Sequence, residues 1–133
     1  MIVVIDSSVL VSALHFAGRN GTPRLALEKA MSESLIATCA EIENETRRIL
    51  TVKFQWDSAR ANAELRRVLA RSTLVQLRGN VKVCRDPADD MVLECALRAK
   101  ADLLISGDRD LLVLRQFEGT KIITPAQYVA STF

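Results

Sequence analysis

A chain of 133 residues, 49% of them hydrophobic, has the length of one ordinary domain and enough apolar material for a real core. With aromatics at only 5%, aliphatic side chains and alanine must fill that core. The net charge of +2 is too small to argue for nucleic-acid binding alone, so the placement of charge matters more than its sum. A single histidine, His15, leaves no partner for histidine-based nucleophilic catalysis or for a typical zinc site. Cys39, Cys84 and Cys95 form no CxxC pair and no disulfide framework, which reads as a reduced, cytoplasmic chain with thiols as small core residues.

In chain order, Ile2-Val3-Val4-Ile5 is short, continuous and β-branched, the pattern of a buried strand. It lacks a positive n-region and is too short for a signal peptide or membrane span. Residues 8–15 read as a short helix and 16–22 as a mobile loop. Thr22-Pro23 supplies an N-cap and N1 pair for a helix reaching about Met31. Leu35-Ile36-Ala37 is a second strand. Two helices follow, over 40–53 and 57–71, the second started by Asp57 or Ser58. Leu74–Leu77 is a strand or an extended return. Asp86-Pro87 opens a helix to about Lys100. Leu103-Leu104-Ile105 is a strand, Asp110–Arg115 a helical turn, and Lys121-Ile122-Ile123 the last strand, with Thr124-Pro125 capping a terminal helix. Strands alternating with helices predict an α/β fold in which helices cover both faces of a mostly parallel sheet, as a single domain over 1–133.

Acidic residues gather where strands pass into helices: Asp6, then Asp86, Asp89 and Asp90, then Asp108 and Asp110. Ligands of open α/β sheets bind at that edge. Carboxylates crowded there repel one another unless a cation lies among them, and a hard divalent ion with oxygen ligands is the usual solution. Each segment has a plainer reading. Asp6 can be an N-cap. Glu45 shares an inward stripe with Ile42, Thr46 and Ile49, where a carboxylate needs a partner or a cation, but it can also pair with Arg48. Asp86 is the expected N-cap before Pro87, which leaves Asp89 and Asp90 free for metal. Ser106-Gly107-Asp108 can be a turn and cap, with Ser106 placed to orient a carboxylate. Capping explains any one segment more easily than it explains all four together.

These residues as a set resemble the PIN-domain ribonuclease family. The likeness rests on Ile-Asp6-Ser-Ser-Val, on Glu45-Thr-Arg-Arg-Ile-Leu, on Arg-Asp86-Pro-Ala-Asp-Asp90 with Leu93 and Ala96, and on Ala-Asp-Leu-Leu-Ile-Ser106-Gly-Asp108-Arg-Asp110-Leu-Leu. The last two segments look most like the bacterial and archaeal toxins of type II toxin–antitoxin pairs (VapC-like). The resemblance implies a three-layer α/β/α PIN-like fold. It also implies an acidic quartet of Asp6, Glu45, Asp90 and Asp108 around Mg²⁺ or Mn²⁺, with Asp89 and Asp110 as neighbouring ligands. Ser106 matches the family's Ser or Thr before the fourth acid. Ser8 departs from the asparagine common there, and its hydroxyl takes on a supporting role. Counting back from Ser106 favours Asp90 over Asp89, whereas counting from Ala96 favours its neighbour.

The implied activity is metal-dependent hydrolysis of RNA phosphodiester bonds by an endoribonuclease. The chemistry does not use the ribose 2′-OH, so preference for RNA must come from substrate shape and groove contacts. Arg19, Arg24, Arg47, Arg48 and Arg85 are candidates for phosphate contacts. The implied partners are RNA, a cognate antitoxin protein covering the acidic edge, and a second copy in a homodimer, with no membrane. A haloacid-dehalogenase-type phosphatase fits poorly, because the position two residues after Asp6 is Ser8. The competing class is a PIN-like scaffold that binds RNA or protein with a weak or empty metal site.

Overall fold

The structure is a computed structural model that describes residues 1–16 and 21–132. Among these residues six strands form one sheet: β1 (Ile2–Ile5), β2 (Leu35–Thr38), β3 (Thr73–Leu74), β4 (Leu103–Ile105), β5 (Gln116–Phe117) and β6 (Thr120–Ile123). Their order is β3-β2-β1-β4-β6-β5. All neighbours are parallel except the β5–β6 pair, a short antiparallel hairpin at one edge. The helices are α1 (Ser7–His15), α2 (Thr22–Glu33), α3 (Ala40–Arg48), α4 (Ser58–Leu69), α5 (Pro87–Ala99), α6 (Arg109–Leu112) and α7 (Pro125–Ala130). Layered on the two sides of the sheet, they give the three-layer α/β/α architecture. α5 packs against β1, β2 and β4, while α2 packs against α1, α7 and β2.

The aliphatic runs account for the sheet's interior. Val3, Val4, Leu104 and Ile105 are fully buried on the two central strands, in register with Ile36, Ala37 and Ile122 on their neighbours. Strands buried on both faces cannot alternate polar and apolar residues, and these do not. Among the described residues no helix is long and apolar enough to cross a membrane.

Chain order locates the binding edge. From β1 the chain winds outward through β2 and β3, then crosses back to lay β4 against the other side of β1. The reversal falls between β1 and β4, so the crevice beyond their carboxyl ends is the topological switch point where ligands of such sheets bind. Asp6 leaves β1 there and Ser106 leaves β4, and the Asp6 N–H bridges the two strands by donating to the Ile105 carbonyl at 3.0 Å.

Several local expectations change. The helix predicted over 40–53 is α-helical only to Arg48. Residues Ile49–Lys53 continue it as a π-helix, whose wider turn is closed by Phe54 N–H donating to the Ile49 carbonyl at 3.2 Å. The Thr46 and Thr51 hydroxyls donate back to the carbonyls four residues earlier, a contact that loosens α-helical geometry just there. Gly21, not Thr22, is the N-cap of α2. Only Thr73 and Leu74 pair as β3, and 75–86 follows as irregular chain. The helical turn expected over 110–115 closes at Leu112, and β5 was not foreseen, being too short for any alternation to show.

Candidate metal centre

Asp6 stands at the N-cap of α1, yet its side chain caps nothing. Its Oδ2 accepts from Ser106 Oγ at 2.7 Å and from Ser8 Oγ at 3.3 Å, while Oδ1 accepts a longer contact from Ser7. Burial raises its pKa, and the nearby Asp108 pushes in the same direction, against the hydroxyl donors that favour the carboxylate. A plain helix cap would have used this side chain on the first turn. Here it is turned instead to the Ser106 and Ser8 hydroxyls.

Ser106 links two of the acids. Fully buried, it donates to Asp6 and accepts the Asp108 N–H at 3.0 Å, so one hydroxyl fixes the end of β1 against the turn after β4. Asp108 then caps α6 through Oδ1, which accepts from Asp110 N–H at 2.9 Å. Beside Ser8, Val9, Ser12, Pro23, Gly107, Asp108 and Pro125 lies a cleft of about 390 Å³.

Asp89 enters from the first turn of α5 and is only 7% exposed. Burial raises its pKa to about 7, reinforced by a shared hydrogen bond with Asp108 and by the charges of Asp108, Asp6 and Asp86. Negative charge this close to Asp89 favours its protonated form. Asp89, Asp108 and Asp110 can each bring an oxygen within 4.8 Å of the others. Three hard oxygen donors at that spacing, strained by mutual repulsion, suit Mg²⁺ or Mn²⁺ better than any soft-metal ligand set.

Asp90, given priority over Asp89 by one of the two sequence counts, is placed differently. Its Oδ1 accepts the backbone N–H groups of Val83 and Cys84 at 2.9 and 2.7 Å, and these donors, the Cys84 amide first, lower its pKa. A carboxylate so engaged anchors chain and is not among the clustered acids. Glu45 also lies outside that cluster. It is half-buried on α3 and faces Arg48 at 3.8 Å, the ion pair foreseen as its plainer reading. Asp86 caps α5 as expected, accepting from Ala88 N–H at 2.9 Å.

Of the arginines, Arg85 pairs with Asp110 at 2.9 Å and so touches the cluster. Arg24 pairs with Glu28 on α2. Arg47 binds Asn44 and Asn62, bracing α3 against α4, and Arg48 is exposed beside Glu45. Arg19 lies outside the described residues. His15 accepts from Trp56 Nε1 at 3.1 Å and stacks on Phe54, so the one histidine is structural. Cys39 and Cys95 are buried in the core, as the sequence implied, whereas Cys84 is only partly buried in the chain before α5.

The model of the PIN domain family matches residues 2–110, a span that contains every clustered acid. The chain belongs to the PIN domain family. The uncharacterized protein MJ1680 of Methanocaldococcus jannaschii is 32% identical over 118 residues, covering 85% of this chain and 74% of that one. Among solved structures, VapBC2 from Rickettsia felis bound to a DNA fragment from their promoter resembles this PIN domain in fold. The TM-score is 0.60 at 13% identity, over 93% of this chain and 98% of that chain. Family and fold thus agree with the acidic edge. Helical phase separates the two neighbouring acids of this PIN domain: Asp89, Val92, Leu93 and Ala96 share the buried face of α5, and Asp90 does not.

Proposed function

We propose that this chain is a divalent-metal-dependent endoribonuclease that hydrolyses RNA phosphodiester bonds, acting as the toxin of a cytoplasmic toxin–antitoxin pair. Residues 1–133 serve as a single nuclease domain. The observation that carries the reading is the convergence of Asp6, Asp89, Asp108 and Asp110 at the switch point of a PIN domain, with the Asp89 pKa raised to about 7 by burial and by its acidic neighbours.

Asp89, Asp108 and Asp110 would hold Mg²⁺ or Mn²⁺, with Asp6 completing the set from β1 and Glu45 at the rim from α3. The cation's contribution is Lewis acidity, which activates water and neutralises phosphate charge. The protein's own work is placement. Ser106 fixes Asp6 and Asp108 at constant separation, and Ser8 steadies Oδ2 of Asp6. Asp89 would release its proton as the site fills. The cleft beside Asp108, lined also by Ser8, Ser12 and Gly107, gives a substrate phosphate room to approach. An antitoxin would cover this same edge, and a second copy is the expected homodimer partner.

The test is cleavage of a panel of single-stranded and structured RNAs with Mn²⁺, comparing wild type with Asp6→Asn. The proposal expects metal-dependent cleavage that the substitution lowers at least about a hundredfold, the scale of losing a main electrostatic contact to the reacting group. Undiminished cleavage by Asp6→Asn would remove the site from the reaction.

A further inference from the structure

Residues 75–86, between β3 and α5, have no regular secondary structure, yet their backbone is pinned at two places. Arg78 and Gly79 donate their N–H groups to the two carboxylate oxygens of Glu94, at 2.5 and 2.9 Å. Val83 and Cys84 donate theirs to Oδ1 of Asp90. Asp90 and Glu94 are four residues apart on α5, about 6 Å along its axis. Arg98 adds a third tie, donating to Glu94 and to Oδ1 of Asn80. Gly79, at φ +74°, bends the chain at the Glu94 pin itself.

Glu94 is almost wholly buried, which opposes its ionisation. The backbone donors of Arg78 and Gly79, with Arg98, outweigh that opposition and hold its carboxyl below the usual range. Two carboxylates spent on four amides make a strap of what would otherwise be loose chain. With its backbone turned toward α5, the strap leaves Arg78, Lys82 and Arg85 exposed. Arg85 meets Asp110 at the metal cluster, with its side chain 88% exposed. The strap therefore carries a row of positive charges that starts at the acidic cluster and runs antiparallel to α5, away from it. Beyond its far pin opens a crevice lined by Val75, Gln76, Leu77, Arg78 and Arg98.

We propose that this strap is a phosphate track. Arg85, Lys82 and Arg78 carry the backbone of the bound RNA strand on one side of the cluster, and Asp90 and Glu94 are positioning residues that keep the track rigid. The inference rests on the nuclease reading and extends it to how the substrate is held. An exposed ion pair such as Arg85–Asp110 is weak, so Arg85 is free to turn to a phosphate when one arrives. Cations spaced along a fixed backbone suit a polyanion whose charges are themselves spaced along a chain. Loss of such contacts appears in the salt dependence of affinity.

The experiment measures binding of labelled single-stranded RNA by anisotropy in EDTA, on full-length protein carrying Asp6→Asn as the parent. The triple variant Arg78→Ala, Lys82→Ala, Arg85→Ala is expected to bind at least about tenfold more weakly at low salt, and its log affinity–log salt slope to be shallower by about 2, from three phosphate contacts at about 0.7 each. A charge-matched triple, Arg66→Ala, Arg71→Ala and Lys121→Ala, is expected to keep the parent's slope. Glu94→Gln, in the metal-loaded enzyme with Asp6 intact, is expected to raise KM about tenfold with kcat within about twofold, a split that simple loss of folded protein does not produce. If the strap triple keeps the parent's affinity and slope, the track is refuted while the nuclease reading stands. The same holds if the triple loses binding to poly-glutamate alone, which would mark the strap as a protein-docking surface. If the parent binds no RNA and wild type cleaves none, both fall together.

Discussion

Replacing Asp89 by asparagine should stabilise the metal-free protein at pH 8 far more than at pH 5. Asp89 has its pKa raised from 3.8 to about 7, by burial first and then by Asp108 and Asp6. A carboxyl whose folded pKa lies above its unfolded value contributes stability below pH 4, and loses it as pH rises toward and through 7. The whole shift corresponds to about 4 kcal/mol at 1.36 kcal/mol per unit, of which about two units, or 2–3 kcal/mol, fall between pH 5 and pH 8. The asparagine side chain is isosteric, never ionises, and can donate to Asp108 as protonated Asp89 does. The variant's advantage over wild type should therefore grow by about 2–3 kcal/mol between the two pH values, roughly 6–12 °C in melting temperature for a chain this size. Thermal melts in EDTA at both pH values provide the measurement. Asp90→Asn is the control with the opposite physics. Its pKa is lowered by the Cys84 and Val83 amides, so losing its charge should destabilise the protein at both pH values. A gain from Asp89→Asn that is equal at pH 5 and pH 8 would refute the buried acid with a raised pKa.

Metal binding and two buried hydroxyls give further outcomes. Mn²⁺ affinity measured by calorimetry should rise with pH between about 6 and 8, approaching tenfold per unit below the Asp89 pKa, because one proton must leave as the ion binds. Ser106→Ala removes the donor to Asp6 and the acceptor of the Asp108 amide; urea melts should show a loss of about 1–3 kcal/mol, and Mn²⁺ binding should weaken. Among the described residues, Thr38 Oγ1 is buried without a hydrogen-bond partner. Thr38→Val should therefore leave urea stability unchanged or raise it by about 1 kcal/mol, whereas a loss would mean that the hydroxyl is satisfied in solution.

Much of this fold is written in short-range patterns. Ile2–Ile5 and Leu103–Ile105 are too apolar to lie anywhere but in a sheet buried on both faces, and Asp86-Pro87 and Thr124-Pro125 announce their helices through side-chain caps that the structure contains. Asp6 and Ser106 were legible because they end those strands. The choice between Asp89 and Asp90 was harder, since both sit in a first turn where negative charge is welcome whichever way it faces. The phase of the apolar residues Val92, Leu93 and Ala96 turns Asp89 inward and Asp90 toward the strap. Glu94 gave no local sign of its role, because the amides it binds are backbone groups many residues away. The π-helical stretch after Arg48 goes with the hydroxyl contacts of Thr46 and Thr51, and the two-residue strand Gln116–Phe117 with its pairing to β6, and no apolar periodicity records either.

The acidic cluster as a metal centre is tested most directly by Mn²⁺ binding and Mn²⁺-dependent RNA cleavage, compared between Asp89→Asn and Asp90→Asn. Asp89→Asn should abolish Mn²⁺ binding and lower kcat at least about a hundredfold. Asp90→Asn should keep Mn²⁺ affinity and kcat within about tenfold of wild type, its defect falling on RNA affinity. Normal metal binding and turnover in Asp89→Asn, with both lost in Asp90→Asn, would contradict this assignment of the site.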